Sequence, residues 1–144
     1  MRLDLPEQKA LVFELDQPVD WGDMDALGHV NNTVYFRYME NARVTWLRSL
    51  GAQLEATREG PVIVNTFCNF LRQLSWPGTV RSRLYAGQPG RSSVDLFVTM
   101  ERTDEPGQLV AAGGATLVWA VAAEQRSVPL PDFVRQAIAA GVPG

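Results

Sequence analysis

The sequence predicts an α+β fold in which a curled antiparallel sheet of about five to six strands is wrapped around one long central helix. Two observations carry this prediction. Residues 33–51 show the chain's one long helical pattern, and the chain after Gly60 alternates in segments that turn residues interrupt. A helix with one apolar face needs a surface to cover it, and a curled sheet provides that surface. Residues 1–144 are interpreted as a single domain, because no linker or repeat divides them.

The strands are predicted from alternation and from the turns between them. Residues 9–19 alternate loosely and form the first strand. After Gly60, the run PVIVNTFCNFLRQLSW is β-rich and is broken at Pro77-Gly78. TVRSRLYAG and RSSVDLFVTMER alternate, and LVAAGGATLVWAVA is the last strand. Short turns between these segments indicate an antiparallel meander.

The helix is predicted from TVYFRYMENARVTWLRSLG, in which apolar residues recur at steps of three and four (Tyr35, Tyr38, Met39, Ala42, Trp46 and Leu50). Asn31, Asn32 or Thr33 can cap its start, and Gly51 suits the position just past its end. The tail PLPDFVRQAIAAG is compatible with a short terminal helix.

Two features of the predicted sheet concern what packs against it. Gly113 and Gly114 lie in the middle of a strand, which indicates a bulge or the close approach of another backbone. The sheet also has exposed edges, and pairing with a second copy of the chain would satisfy them. We therefore expect a homodimer or a homotetramer.

The composition excludes several classes of protein. The formal net charge of −3 argues against a nucleic-acid surface. Residues 109–123 form the longest nearly apolar run, which is too short to span a bilayer. The N-terminus lacks a signal-peptide pattern, and the single cysteine excludes an internal disulfide, so we expect a cytoplasmic protein without membrane insertion. With one histidine and no cysteine pair, a metal site is not expected. No Gly-rich phosphate-binding motif appears, and no cofactor is expected.

The segment WGDMDALGHVNN, residues 21–32, concentrates polar chemistry immediately before the helix: two acids, a glycine, the chain's only histidine and two asparagines. GDMDALGHVNNTVYFRYMENAR resembles the Asp-containing loop and the aromatic helix start of hotdog-fold acyl-CoA thioesterases, in the 4-hydroxybenzoyl-CoA thioesterase-like group. FLRQLSWPGTVRSRL resembles the strand-turn-strand segment of the same group. The resemblance implies the hotdog fold, oligomerisation and hydrolysis of an acyl-CoA thioester.

The resemblance also implies roles for individual residues. Asp25, three residues before Gly28, matches the catalytic carboxylate, and the backbone N–H of Asn32 matches the group that polarises the carbonyl. Thioester hydrolysis needs a carboxylate that attacks the carbonyl or activates a water, together with a donor for the developing oxyanion. A helix N-terminus supplies such donors. Whether Asp25 is the nucleophile or the general base stays open, and Asp23 is interpreted as structural.

His29 and the two asparagines match the His-Val-Asn-Asn segment of the plant acyl-carrier-protein thioesterase branch. That branch also has an asparagine two residues after the acid, where this chain has Leu27. His29 is either a base or a residue that positions the loop. Asn31 and Asn32 are equally helix caps, and the two roles are compatible because the functional group of Asn32 would be its backbone N–H.

Further candidates for substrate binding are Gly28, Asn31 and Tyr35 around the loop, together with three polar strand residues that could line a partner's pocket (Asn65, Thr66 and Asn69). Cys68 lies among apolar strand residues and is interpreted as an inert thiol. Arg72, Arg81, Arg83 and Arg91 either hold CoA phosphates or protect strand edges.

Two other functions remain open. An acyl-carrier-protein thioesterase would carry out the same chemistry on a different thiol, and a hotdog module could bind acyl ligands without turnover. Release of free thiol from a panel of thioesters distinguishes the catalytic functions from the binding module.

Overall fold

The computed structural model describes residues 1–52 and 58–142. Six strands and two α-helices follow one another in the order β1 (Ala10–Pro18), α1 (Asn32–Ser49), β2 (Gly60–Phe70), β3 (Thr79–Ala86), β4 (Ser93–Arg102), β5 (Leu109–Val121), β6 (Arg126–Ser127) and α2 (Asp132–Ala140). In this described part of the chain, neither helix combines the length and apolar character needed to cross a membrane. The predicted α+β class with a sheet of five to six antiparallel strands is confirmed.

The sheet order is β1-β3-β4-β5-β2, with β6 beside one end of β5, and every pairing is antiparallel. The predicted meander is therefore correct for β3, β4 and β5 but wrong for β2, which pairs with β5 rather than with β3. The β-rich run after Gly60 was also predicted too long, since β2 ends at Phe70. Residues 71–78 instead form an irregular connection from β2, at one edge of the sheet, to β3 near the other.

Helix α1 spans 18 residues and packs against β1, β2 and β3 through one apolar face, whose buried members include Tyr35, Tyr38, Met39, Ala42, Trp46 and Leu47. The tail forms the second helix, α2, which packs against β1 and buries Val134 and Ile138. The described residues thus contain two α-helices, whereas the predicted architecture named one. Gly51, with φ +91°, follows the end of α1 in the left-handed conformation that favours glycine.

The glycine pair in β5 marks a close approach of other groups. The register shifts of the described sheet lie elsewhere, between Leu11 and Phe13, between Ile63 and Asn65 and between Met100 and Glu101. A Cβ atom added to Gly113 would lie 2.3 Å from the carbonyl oxygen of Phe67. The same atom would lie 3.2 Å from Cε of Met39, so Gly113 allows α1 to sit close to the sheet.

Candidate active site

The loop between Met24 and Val30 is closed by its own backbone. These two residues form an isolated antiparallel bridge. Inside it, the N–H of Asp25 donates to the carbonyl of His29 at 2.7 Å, and the N–H of Gly28 donates to the carbonyl of Asp25 at 3.1 Å. Gly28 has φ +79°, a conformation that side chains with a Cβ rarely adopt. The glycine therefore allows the chain to reverse just before the helix.

The Asp25 carboxylate also takes part in the turn. Its Oδ1 accepts the N–H of Leu27 at 2.9 Å and the N–H of His29 at 3.4 Å. Such Asx turns fix the orientation of a carboxylate relative to its own backbone. The side chain of Asp25 is exposed and that of His29 is half-buried. The carboxylate is consequently held in one place while it remains accessible.

Asp23 makes contacts that hold the loop against α1, which fits its interpretation as a structural residue. Its side chain is 9 % exposed, and its Oδ1 accepts from Nη2 of Arg37 at 2.5 Å. Its Oδ2 accepts the hydroxyl of Tyr38 at 3.4 Å, and its carbonyl accepts the N–H of Asn31 at 3.0 Å. Burial, and then the charge of Asp23, raise the pKa of Tyr38. Asp23 thereby attaches the beginning of the loop to α1.

Asn31 is the residue that caps α1. Its Oδ1 accepts the backbone N–H of Thr33 at 2.9 Å and the Thr33 hydroxyl at 2.8 Å. Asn32 is the first residue of the helix, and within the described ranges its N–H has no hydrogen-bond acceptor. The first N–H groups of a helix carry partial positive charge and point away from the helix body. This end of α1 can therefore donate to an added oxygen.

Loss of the cap should weaken the helix. We expect Asn31→Ala to lower the free energy of unfolding by about 1 kcal/mol, because the N–H of Thr33 loses its acceptor. Urea unfolding followed by circular dichroism measures the change. Asn31→Ser keeps an acceptor oxygen at the cap and should stay closer to the wild type. Equal loss in both variants would contradict the capping role.

A pocket of about 290 Å³ lies where the loop meets the helix start. It brings together four predicted site residues, Asp25, His29, Asn32 and Tyr35. The ring of Tyr35 packs edge-on against Phe70 with centroids 5.1 Å apart, and burial raises the pKa of its hydroxyl to about 12. The pocket thus places an acid and a helix N-terminus beside an aromatic wall, an arrangement suited to a polarised carbonyl with an apolar substituent.

Apart from Val30 in the loop, the rest of the wall comes from the end of β2 and the connection after it: Phe70, Leu71, Arg72 and Gln73. This connection is tied to the loop because the N–H of Val30 donates to the carbonyl of Leu74 at 2.7 Å and the Ser75 hydroxyl donates to the carbonyl of Gly28 at 2.8 Å. Of these wall residues, only Arg72 is a binding candidate from the sequence. The FLRQLSW segment resembles part of a strand-turn-strand, and that pattern carries no sign that the segment borders the loop.

The three polar candidates on β2 lie outside this pocket. The Thr66 hydroxyl donates to the carbonyl of Gly114 at 3.0 Å, and Oδ1 of Asn65 accepts the N–H of Thr116 at 3.2 Å. Both residues border a separate cavity of about 390 Å³. Asn69 bonds the backbone of Leu3 through both ends of its side-chain amide. A single chain therefore does not bring them to Asp25.

The cysteine is half-buried, and two of the four arginines considered from the sequence, Arg81 and Arg83, are engaged in ion pairs. Burial raises the pKa of the Cys68 thiol to about 12, so it is protonated and unreactive near neutral pH. Arg81 pairs with Asp16 at 2.9 Å, and Arg83 pairs with Glu14 and Glu101 across neighbouring strands. These pairs fit the strand-edge role rather than phosphate binding.

Comparison with known proteins gives matches in sequence and in structure. A sequence profile described as the thioesterase-like superfamily matches residues 19–138. The chain belongs to the thioesterase-like superfamily. This thioesterase-like protein is similar in structure to PA2801 from Pseudomonas aeruginosa, provisionally described as a thioesterase, with a TM-score of 0.87 and 44% identity over 89% of this chain and 98% of that one.

Two further solved structures extend the likeness. A provisionally described acyl-CoA thioesterase from Xanthomonas campestris has a TM-score of 0.75 and 30% identity, over 83% of this chain and 99% of that one. BH1999, a gentisyl-coenzyme A thioesterase, has a TM-score of 0.76 and 28% identity, over 88% of this chain and 99% of that one. Thioester hydrolysis is the enzyme activity that the family and these neighbours support for the thioesterase-like protein.

Proposed function

We propose that the protein hydrolyses acyl-CoA thioesters, with Asp25 as the catalytic carboxylate and the N–H of Asn32 as the donor to the carbonyl. The observation that supports this assignment most strongly is that Asp25 and the first residue of α1 border the same pocket. Named acyl-CoA and gentisyl-coenzyme A thioesterases among the similar structures support the choice of CoA as the thiol.

Two reaction courses fit this arrangement. In the first, the Asp25 carboxylate attacks the carbonyl carbon, CoA leaves as the thiolate, and water hydrolyses the resulting anhydride. In the second, Asp25 removes a proton from a water that attacks the carbonyl, and the thiolate leaves from the tetrahedral intermediate. In both courses the negative charge on the carbonyl oxygen is stabilised by the Asn32 N–H and the helix dipole.

The other proposed site residues shape the loop and the substrate's surroundings. His29 positions the loop, because its carbonyl accepts the N–H of Asp25 and its own N–H donates to the carboxylate. Gly28 allows the reversal and Asn31 caps the helix, while Tyr35 provides part of the apolar wall. Together they would keep the carboxylate near the helix end.

We further propose that the enzyme is a homodimer or homotetramer in which β2 meets a second copy. In the described sheet, β2 pairs on one side only and spans 11 residues, an exposed edge of the kind that folded proteins usually cover. Val64 on this strand is 57% exposed. A copy docked here would bring its own polar β2 residues (Asn65, Thr66 and Asn69) toward the neighbour's pocket. Under this proposal each chain is a single domain, the enzyme is cytoplasmic, and hydrolysis needs no cofactor.

The proposal is tested by incubating the purified protein with a panel of aliphatic and aromatic acyl-CoA thioesters and detecting free thiol. We expect turnover of at least one member well above spontaneous hydrolysis. The same acyl groups on a carrier protein form a second arm, and preference for that arm would identify the other thiol. Binding of acyl-CoA without thiol release from any member would contradict the proposed activity and identify a binding module.

A further inference from the structure

The lining of the candidate active site includes one arginine. Arg72 borders the same pocket as Asp25 and Asn32, and its side chain is exposed. Within residues 1–52 and 58–142, no hydrogen bond or ion pair engages its guanidinium group. A guanidinium group without a protein partner at a pocket is free to bind a ligand anion.

Several other arginines of the chain are paired with acids. Carboxylate partners are present for Arg37, Arg81, Arg83 and Arg102. These pairs link strands or attach loops, so their guanidinium groups are already engaged. Arg72 differs from them in both its location and its lack of a described partner.

The backbone beneath Arg72 is held in place. The N–H groups of Leu71 and Arg72 both donate to the carbonyl of Val110, at 2.9 and 3.2 Å. Two residues further on, the carbonyl of Leu74 accepts from the catalytic loop. The Cα of Arg72 therefore has a fixed position relative to Asp25, while the exposed side chain can adjust to a ligand.

We propose that Arg72 recognises an anionic group of the thioester substrate. The inference rests on the proposed function of the pocket. An anionic substrate approaching Asp25 would meet a like charge, and a cation in the lining of the same pocket offsets that repulsion. Guanidinium groups bind carboxylates and phosphates through paired N–H donors, so Arg72 adds orientation as well as attraction.

Two parts of an acyl-CoA substrate carry this chemistry. A carboxylate on a short acyl group would meet Arg72 inside the 290 Å³ pocket, near the thioester. A phosphate of CoA is separated from the thioester by the pantetheine arm and would meet the side chain at the pocket mouth. The two sources predict different substrate dependence and can be distinguished by kinetics.

The experiment measures hydrolysis of four thioesters: butyryl and glutaryl groups, each on CoA and on N-acetylcysteamine, which carries no phosphate. For substrates that bear the recognised anion, we expect Arg72→Ala to raise KM about 10- to 100-fold with a much smaller change in kcat. Arg72→Lys should restore part of the loss, and Arg126→Ala removes one exposed arginine outside the pocket as a matched control.

The pattern of losses identifies the anion. Loss with both glutaryl substrates identifies the acyl carboxylate, and loss with both CoA substrates identifies a phosphate. Equal losses with all four substrates, including neutral butyryl-N-acetylcysteamine, or no loss with any, would overturn the assignment. Equilibrium binding of the four thioesters to wild type and Arg72→Ala gives the same comparison without turnover, so a failure of the proposed hydrolysis remains distinguishable from a failure of anion recognition.

Discussion

Asp25→Asn is expected to lower kcat for thioester hydrolysis about 10²- to 10⁴-fold, because an amide neither attacks the carbonyl nor accepts a proton from water. The substitution leaves one side-chain oxygen at the position that accepts the N–H groups of Leu27 and His29. The loop should therefore keep its shape, and the loss should reflect chemistry rather than folding. Release of free thiol at saturating substrate measures the effect.

A matched control is available at the other helix. Asp132 lies in the first turn of α2, is exposed and does not border the pocket. Asp132→Asn removes the same charge near a helix N-terminus and should leave kcat within about twofold of wild type. If a folded Asp25→Asn protein retained full turnover, Asp25 would have no part in the mechanism. Melting temperatures equal to that of the wild type in both variants would establish that folding is unaffected.

The local part of the candidate site could be predicted because its residues are neighbours in sequence. Asp25, Gly28, Asn31 and Asn32 fall within eight positions of one another. Asp25 and Gly28 form the turn, and Asn31 caps the helix that begins at Asn32. A glycine that reverses the chain and an asparagine that caps the helix determine most of the loop geometry. Because these residues lie within one turn and one helix start, residues that are close in sequence are also close in space.

The remaining wall of the pocket could not be predicted from spacing. Phe70 and Arg72 line the same pocket as Asp25 because the connection after β2 runs alongside the loop. The hydrogen bond from Val30 to Leu74 joins this connection to the loop. That contact depends on the position of β2 at the sheet edge beside β5. Turn signals report which strands are joined by short connections, whereas the pairing of strands far apart in sequence is decided by packing of the whole sheet.

The strand candidates illustrate the same distinction. The alternation of polar and apolar residues in the sequence indicates which residues share a face of β2. It does not indicate that Asn69 bonds Leu3 or that Thr66 bonds the backbone of β5. Alternation also does not show which sheet edge stays unpaired. The proposed contribution of these residues to a second copy's pocket therefore depends on assembly, which a single chain does not determine.

Gly113→Val is expected to destabilise the protein more than any other substitution considered. A Cβ at this position would lie 2.3 Å from the Phe67 carbonyl oxygen and 3.0 Å from Cα of Cys68, both of which are backbone atoms of β2. Backbone atoms in a paired strand cannot move without breaking the ladder between β2 and β5. On the helix side, Met39 occupies the remaining space, with its Cε 3.2 Å away. We expect a loss of about 3 kcal/mol or more, equivalent to a decrease in Tm of about 10 °C.

The smaller substitution Gly113→Ala separates this steric effect from the larger volume of valine, since the first added carbon already meets the β2 backbone. Gly22→Ala is the matched control, because a Cβ there meets no atom within 4 Å. It should melt at or slightly above the wild-type temperature, since alanine restricts the unfolded chain. A Gly113→Ala protein that melted with the wild type would show that β2 and β5 can separate at this point. If the Tm of Gly113→Ala is lower, this variant should also lose thiol release at a lower temperature than the wild type. The reason is that β2, which pairs with β5 at Gly113, carries Phe70 into the wall of the pocket.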